Sequence, residues 1–508
     1  MVILSLLKIF NFPTKIEISK MIMETKIRLM AQNTANIYAI NKNNISMKNF
    51  SSKKFLPRVT LKDNYVCDEI LVKVKQNHQL QEGVQRIKEI MARKLQECCH
   101  SEELVIIDAI QRLNLEYYFR VEIGVALRKY YERFDTEERS HDLHNTALRF
   151  RLLRQRGYNV SADIFRKFKD KNGNFKQELG NDIKGLLSLY EASNLGVPGD
   201  HILDSAGDFS RHLLRNFDSV EPYEASIIQN TLSLPCHKSL PIFMAADFLQ
   251  NFEISMNLLH GCSCESRWME EIRNLARIDI NKNQMTAKHE VNEICRWWEE
   301  LQLPKEQKDT RNQPVKWHMW SLACLQGPHI AESRLELTKA ISFIYIIDDI
   351  YDIYGTLDEL TQFTEAVNRW ECVDFDNMPD NMITSLKALF DVTSEICLKI
   401  YTKHGFNPEK YIRKLDEHQK YDGSIMECYL NEHEGSSPET AREYVFEMIS
   451  DAWNRLNENL LSTSPFSAAF KAAVANFARM VPVIYTYDKN HRLPDLEKHM
   501  KPLVNTDK

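Results

Sequence analysis

The sequence predicts an all-α protein of two helical domains. Glycine accounts for only 15 of 508 residues, well below the roughly 7% of an average protein, so few positions suit tight turns. Apolar residues recur over long stretches at spacings of three and four, the period of a helix with one buried face. At 59.5 kDa the chain exceeds what one hydrophobic core holds. The run Leu234-Pro235-Cys236-His237 through Pro241 offers a boundary. The expected organisation is an extension over residues 1–55, an N-terminal helical domain over 56–240 and a C-terminal helical domain over 241–508.

The extension differs from the rest. It is rich in Asn, Ser, Lys and Ile, has Glu17 and Glu24 as its acids, and shows no turn-delimited pattern until Phe55-Leu56-Pro57. Such a basic, acid-poor start reads as a transit peptide and a plastid location. The alternative is a cytoplasmic protein with a later start at Met21, Met23, Met30 or Met47. A secretory signal is disfavoured because Lys8 interrupts the apolar start after a few residues.

Lys and Arg number 65 against 71 Asp and Glu, a net charge of −6. With no basic stripe beyond the extension, general nucleic-acid binding is excluded. No apolar run approaches the roughly 20 residues of a membrane span. Eleven cysteines, an odd number without a CxxC pair, fit a reducing compartment better than a disulfide framework. Cys98-Cys99-His100 and His260-Gly261-Cys262-Ser263-Cys264 lack a second ligand pair at structural-zinc spacing and read as helix ends.

Two stretches of the C-terminal domain carry chemistry. Arg311-Asn312-Gln313-Pro314-Val315-Lys316-Trp317-His318-Met319-Trp320 is basic and aromatic. Arg311 offers a planar, permanent charge for phosphate oxygens. Trp317 and Trp320, three apart, share a helix face suited either to a core or to stabilising a cation. The second stretch is Ile346-Ile347-Asp348-Asp349-Ile350-Tyr351-Asp352, set in an apolar run from Ala340 to Tyr354. Buried carboxylates need cationic partners. Asp348 and Asp352 lie four apart, on one helix face, while Asp349 points about 100° away. Hard oxygens so arranged suit Mg²⁺ or Mn²⁺. The helix should end just after them, with Gly355 as its C′ glycine and Thr356-Leu357-Asp358-Glu359 as the capping box of the next.

In these residues and in others spread from about Asn64 to Leu503 the chain resembles the plant class I terpene synthases. The shared blocks include Leu152-Leu153-Arg154-Gln155-Arg156-Gly157-Tyr158, Gly173-Asn174-Phe175, and Gly185 through Ser193. They continue with Arg296-Trp297-Trp298, the Asp348 cluster with Tyr354-Gly355-Thr356, and Ala452-Trp453-Asn454-Arg455-Leu456-Asn457. The resemblance implies an N-terminal domain without chemistry of its own and a C-terminal class I terpenoid synthase bundle enclosing the active site. It also implies a monomer that ionises geranyl or farnesyl diphosphate. Asp348 and Asp352 would hold Mg²⁺ or Mn²⁺ and substrate, Arg311 would grip phosphate oxygens, and Trp317, Trp320, Tyr345 and Tyr485 would bound the carbocation.

Three departures narrow this reading. No Arg pair occurs near Arg58 and no Trp before Trp268, whereas relatives that cyclise monoterpenes carry a tandem-arginine and tryptophan motif. Arg-x-Gln at Arg311 to Gln313 replaces Arg-x-Arg, a combination resembling makers of acyclic alcohols such as linalool, nerolidol and geraniol. The family's second metal motif is reduced to Glu417 at its final position, because Tyr411-Ile412-Arg413-Lys414-Leu415 runs directly into Asp416-Glu417-His418-Gln419. An internal deletion of helices there is expected. The alternative to an active enzyme is therefore a catalytically impaired splice product or non-catalytic homologue. A chain-elongating prenyltransferase would need a second aspartate-rich motif, and protonation-initiated cyclisation an Asp-x-Asp-Asp in the N-terminal half; neither is present.

Overall fold

The computed structural model describes residues 64–96, 101–133, 142–217, 221–262, 266–301, 303, 312–327, 330–351, 355–370, 378–405, 429–430, 432–433, 435–462, 468–486 and 492–503. Its longer elements are helices: α1 Asn64–Gln96, α2 Ser101–Arg112, α3 Arg120–Glu132, α4 Leu143–Gln155, α5 Ile183–Ser193, α6 His201–Arg215, α7 Pro222–Ser233, α8 Pro241–Gln250 and α9 Phe252–His260. These are followed by α10 Arg267–Glu300, α11 Pro314–Cys324, α12 Ala331–Asp349, α13 Leu357–Arg369, α14 Asp380–His404, α15 Pro438–Leu461, α16 Ala468–Tyr485 and α17 Pro494–Met500. Among the described residues the extended structure is an isolated antiparallel bridge between Lys169 and Phe175. Arg311, Asp352, Cys98-Cys99-His100, the extension, and the Leu415–Asp416 junction with Glu417 lie outside the described residues.

The chain forms two compact units. The first lies within Ile45–Asn283 and Asn457–Thr463, the second within Gln284–Leu456 and Ser464–Lys508. The division between these units falls inside α10. The run from Leu234 to Pro241 does break helices, since α7 ends at Ser233 and Pro241 opens α8, where its missing amide is not needed. Yet the helices after it stay with the first unit: Phe252 and Met256 of α9 and Trp268, Ile272 and Leu275 of α10 share the core of α2 and α4. Proline and glycine mark where a helix ends, not where packing does.

The first unit explains several of the shared blocks. Arg154 of α4, buried, donates to Val160 O at 2.8 Å, Leu195 O at 2.7 Å and Asp200 Oδ2 at 2.5 Å, tying down the loops around it. Asn457 donates to Asn194 O and Gly196 O, and its Oδ1 lies 2.8 Å from His237 Nε2. Asp108, fully buried, meets Arg112 at 2.9 Å, Arg151 at 2.5 Å and His260 at 2.9 Å. Burial pushes the Asp108 carboxyl up, but Arg112 and Arg151 outweigh it and hold the group well below the usual range. His144 stands with its ring 5.3 Å from that of His260. Burial, reinforced by His260 and Lys184, lowers the His144 imidazole to about 3, so it is neutral. His260 closes α9 and Gly261 follows at φ 67°, the helix-end role expected for this segment.

In the second unit, α13 opens with the expected capping box: Thr356 Oγ1 accepts from the Glu359 amide, and Glu359 Oε2 accepts from the Thr356 amide at 2.8 Å. Gly355 is not a left-handed C′ residue. Its φ lies outside the positive range, and a Cβ there would overlap Leu360 and sit 3.1 Å from Met382 Cε. Close approach of α13 and α14 side chains, not backbone handedness, calls for glycine at this position. Cys236, Cys295 and Cys324 are free thiols. No described helix is long and apolar enough to cross a membrane.

Candidate active site

The aspartate segment ends α12. Ile346, Ile347, Ile350 and Tyr351 are buried to 4% exposure or less, so the last turns of this helix are enclosed by the second unit. The Ile350 amide reaches both Ile346 O and Ile347 O, and the chain continues through a π-helical turn at residues 350–351. Tyr351 is held by Thr364 Oγ1 at 2.6 Å, and burial pushes its phenol up to about 12. Asp349 is buried, with 2% exposure. Asp348 is described in its backbone as the penultimate residue of α12. Among the described residues no group of three or more His, Cys, Asp or Glu is placed to hold a metal. The Asp352 position and the Asp348 side chain lie outside the described residues, but both residues carry carboxylates, which are hard oxygen donors. That donor chemistry fits Mg²⁺.

One turn before the aspartates, Tyr345 joins an aromatic cluster built from four helices. Trp298 of α10 meets Trp317 of α11 edge to face, with centroids 4.8 Å apart, and Trp317 stacks on Tyr345 of α12 at 6.0 Å. Trp320 donates its indole N–H to Tyr345 Oη at 3.2 Å. Its ring lies 5.8 Å from Phe477 and 6.5 Å from Tyr485, both on α16. The two tryptophans of α11 therefore differ. Trp317 has no exposed surface, and its Nε1 has no hydrogen-bond partner, so it backs the cluster. Trp320 keeps 6% exposure and Tyr345 9%, while Phe477 and Tyr485 are half-buried, so these four share the exposed surface of the cluster.

The structure thus brings Trp317, Trp320, Tyr345 and Tyr485 together, and adds Phe477 and Trp298. Trp298 had a signal in the Arg296-Trp297-Trp298 block. Its indole N–H donates to Asn312 Oδ1 at 2.8 Å, anchoring the residue next to Arg311. Phe477 had none, since nothing in an alanine-rich helix marks one phenylalanine.

Behind the cluster runs a second buried ionic group. Arg334 of α12 meets Glu290 of α10 through two bonds, 2.9 and 2.5 Å, and donates to Leu325 O and Gly327 O. His318 Nε2 lies 3.0 Å from Glu290, and His318 Nδ1 lies 2.9 Å from Thr338 Oγ1, which in turn reaches Ser321 Oγ at 2.8 Å. Burial would raise the Glu290 carboxyl, but Arg334 and His318 hold it down. Burial lowers the His318 imidazole despite Glu290. A neutral His318 then donates from Nε2 to the Glu290 carboxylate.

Comparison with known proteins accords with this architecture. The terpene synthase N-terminal domain profile matches residues 52–232, and that of the terpene synthase metal binding domain matches residues 299–421. "Probable terpene synthase 13" of Ricinus communis is 40% identical over 489 residues, covering 79% of this chain and 84% of its own. An (E)-nerolidol synthase of Cannabis sativa is 37% identical, with coverages of 79% and 88%. The chloroplastic S-(+)-linalool synthase of Arabidopsis thaliana is 34% identical, with coverages of 83% and 87%. Isoprene synthase from grey poplar leaves, solved with three Mg²⁺ ions and dimethylallyl-S-thiolodiphosphate, superposes with a TM-score of 0.71 at 26% identity, over 84% of this chain and 96% of that one. An all-helical two-unit chain matched by both domain profiles defines a terpene synthase. This chain belongs to the plant terpene synthase family. The 489 positions aligned with the Ricinus protein use 79% of 508 residues, about 400, so about 90 aligned positions have no residue of this chain.

Proposed function

We propose that this chain is a Mg²⁺-dependent synthase that ionises geranyl or farnesyl diphosphate and releases an acyclic alcohol such as linalool or nerolidol. The observation that carries the reading is the aromatic surface of Trp320 and Tyr485, joined through Tyr345 to the helix that ends in the aspartates. The nerolidol and linalool synthases among its relatives support the product class. When bound at Asp348 and Asp352, Mg²⁺ supplies positive charge that neutralises the leaving diphosphate.

The chain's own residues do the rest. Arg311 binds phosphate oxygens and strengthens its contact as the carbon–oxygen bond breaks and diphosphate leaves with the electron pair. Trp320, Tyr345 and Tyr485 offer π faces to the allylic cation, and Trp317, without exposed surface, packs against Tyr345. Water then attacks the cation and loses a proton, giving the alcohol. Glu417 is proposed as the remaining ligand of a second metal site. The relatives named chloroplastic support a plastid location, with the cytoplasm as the alternative, and the protein is proposed to act as a monomer.

The test is to incubate the purified protein with Mg²⁺ and each diphosphate and analyse the volatiles by gas chromatography. Linalool or nerolidol as main product, formed at low turnover, is expected. Mainly cyclic products, or none above a boiled control from either substrate, would overturn the proposal.

A further inference from the structure

We propose that the buried chain Ser321, Thr338, His318, Glu290 and Arg334 is a positioning device, which fixes the rotation of α11 and thereby where the Trp320 indole stands. The inference rests on the reading of this unit as the site of ionisation. Four observations carry it. The chain joins α10, α11 and α12, the helices that also supply Trp298, Trp317, Trp320 and Tyr345. Its members are nearly inaccessible, with exposures of 0% at Ser321, His318 and Thr338, 1% at Glu290 and 4% at Arg334. Its hydrogen bonds are contiguous: Arg334 and His318 Nε2 both reach the Glu290 carboxylate, and Thr338 Oγ1 lies within hydrogen-bond distance of His318 Nδ1, Ser321 Oγ and Arg334 O.

The fourth observation is the register on α11. His318 and Ser321 are three residues apart and form one face, while Trp317 and Trp320 form the adjacent face, about 100° around the axis. The polar face is anchored to a buried carboxylate and a threonine at 2.8–3.0 Å, whereas the aromatic face is held by ring contacts and by one longer bond, Trp320 Nε1 to Tyr345 Oη at 3.2 Å. Releasing the polar face frees the aromatic one. A rotation of about 10° at a helix radius of about 6 Å moves the indole by about 1 Å. Displacements of that size in a catalytic wall change rates and product partition. His318, Thr338 and Ser321 are thus positioning residues and touch no substrate.

The test compares the full chain with Thr338→Val, which keeps the shape and removes the hydroxyl, and with Thr338→Ser, which restores it. Near-UV circular dichroism in the indole band reads the tryptophan environment without substrate. Thr338→Val should change that band, lower kcat about threefold to tenfold with KM within about twofold, and raise the share of minor products. Thr338→Ser should restore all three. If the parent chain forms no product, the functional reading fails, and the near-UV band alone still decides the positioning. An unchanged band in Thr338→Val, or a change that Thr338→Ser does not reverse, overturns the inference. Should Thr338→Val not fold, Ser321→Ala takes its place, with a smaller change of the same kind expected and no change overturning the proposal.

Discussion

The two units each bury a carboxylate with arginine and histidine around it, and they use that arrangement differently. In the first unit Asp108 is answered by Arg112, Arg151 and His260, and beyond it His144 presents a neutral ring with Nε2 unpartnered. In the second, Glu290 is answered by Arg334 and His318, and beyond it lie two hydroxyls and the aromatic cluster. Both carboxyls are held below their ordinary range by the same balance, partners outweighing burial. Buried ionic groups are therefore poor markers of chemistry by themselves. The second shares its helices with the aromatic cluster.

The strongest way to break that contrast is to act on the second unit alone. Grafting the relative's additional residues between Leu415 and Asp416 should raise turnover from near background, with an acyclic alcohol still the main product by gas chromatography. Robust turnover by the ungrafted chain would show that the missing length is not needed. In whichever form turns over, Asp348→Ala or Asp352→Ala should lower kcat by about a hundredfold or more with helical circular dichroism unchanged. Arg311→Ala should lower it by about one to three orders of magnitude, and Arg311→Lys should rescue only partly because it lacks the planar fork.

The first unit should respond in stability instead. Asp108→Asn leaves Arg112 and Arg151 with a neutral partner at zero exposure, and loss of one member of a buried ionic group costs about 3–5 kcal/mol. The midpoint of urea unfolding should fall accordingly while the product ratio stays at the parent value. Acid sharpens the distinction. His144 is neutral when folded down to about pH 3, yet protonates near 6.5 when unfolded. Between those values the unfolded chain binds a proton that the folded chain does not, so stability falls as pH drops, by about 1.4 kcal/mol per unit at most for this one group. Asp108 adds the carboxylate form of the same loss. Its contribution is present above the unfolded pKa of about 4 and disappears as pH falls toward the lower folded value. His144→Gln should flatten the decline between pH 6 and pH 4; an unaltered slope would assign it to other groups.

The parts of this molecule that were legible in its sequence are those written within one helix. The Thr356 to Glu359 cap, the His260-Gly261 helix end and the apolar run around Asp348 are contained within a few turns. The Asp108 and Glu290 groups were illegible because their partners come from positions as far apart as 108, 151 and 260, or 290, 318 and 334. Trp317 and Trp320 show the limit within a single helix. Both meet Tyr345, but that Trp317 is wholly enclosed while Trp320 keeps 6% exposure follows from packing by other helices, which the spacing does not report. Gly355 shows the converse: a local rule offered a reason for glycine, and packing by Leu360 and Met382 supplied the actual one.

The smallest effects are expected where neither buried group takes part, at the start of α13. Gly355→Ala forces Leu360 and Met382 to move, and overpacking of this kind costs about 1–3 kcal/mol. Thr356→Ala removes the side chain that caps the Glu359 amide, a contact of 3.4 Å, at about 1 kcal/mol. The reciprocal contact, Glu359 to the Thr356 amide at 2.8 Å, survives that substitution, so most of the cap remains. Hydrogen exchange should therefore speed up in the first turn of α13 in Thr356→Ala and across the α13 and α14 contact in Gly355→Ala. In neither should the near-UV indole band move, because Leu360 and Met382, the side chains nearest Gly355, belong neither to the aromatic cluster nor to the Glu290 group. A shifted indole band in Thr356→Ala would mean that the wall depends on the segment after the aspartates, and would extend the positioning role from α11 to α13.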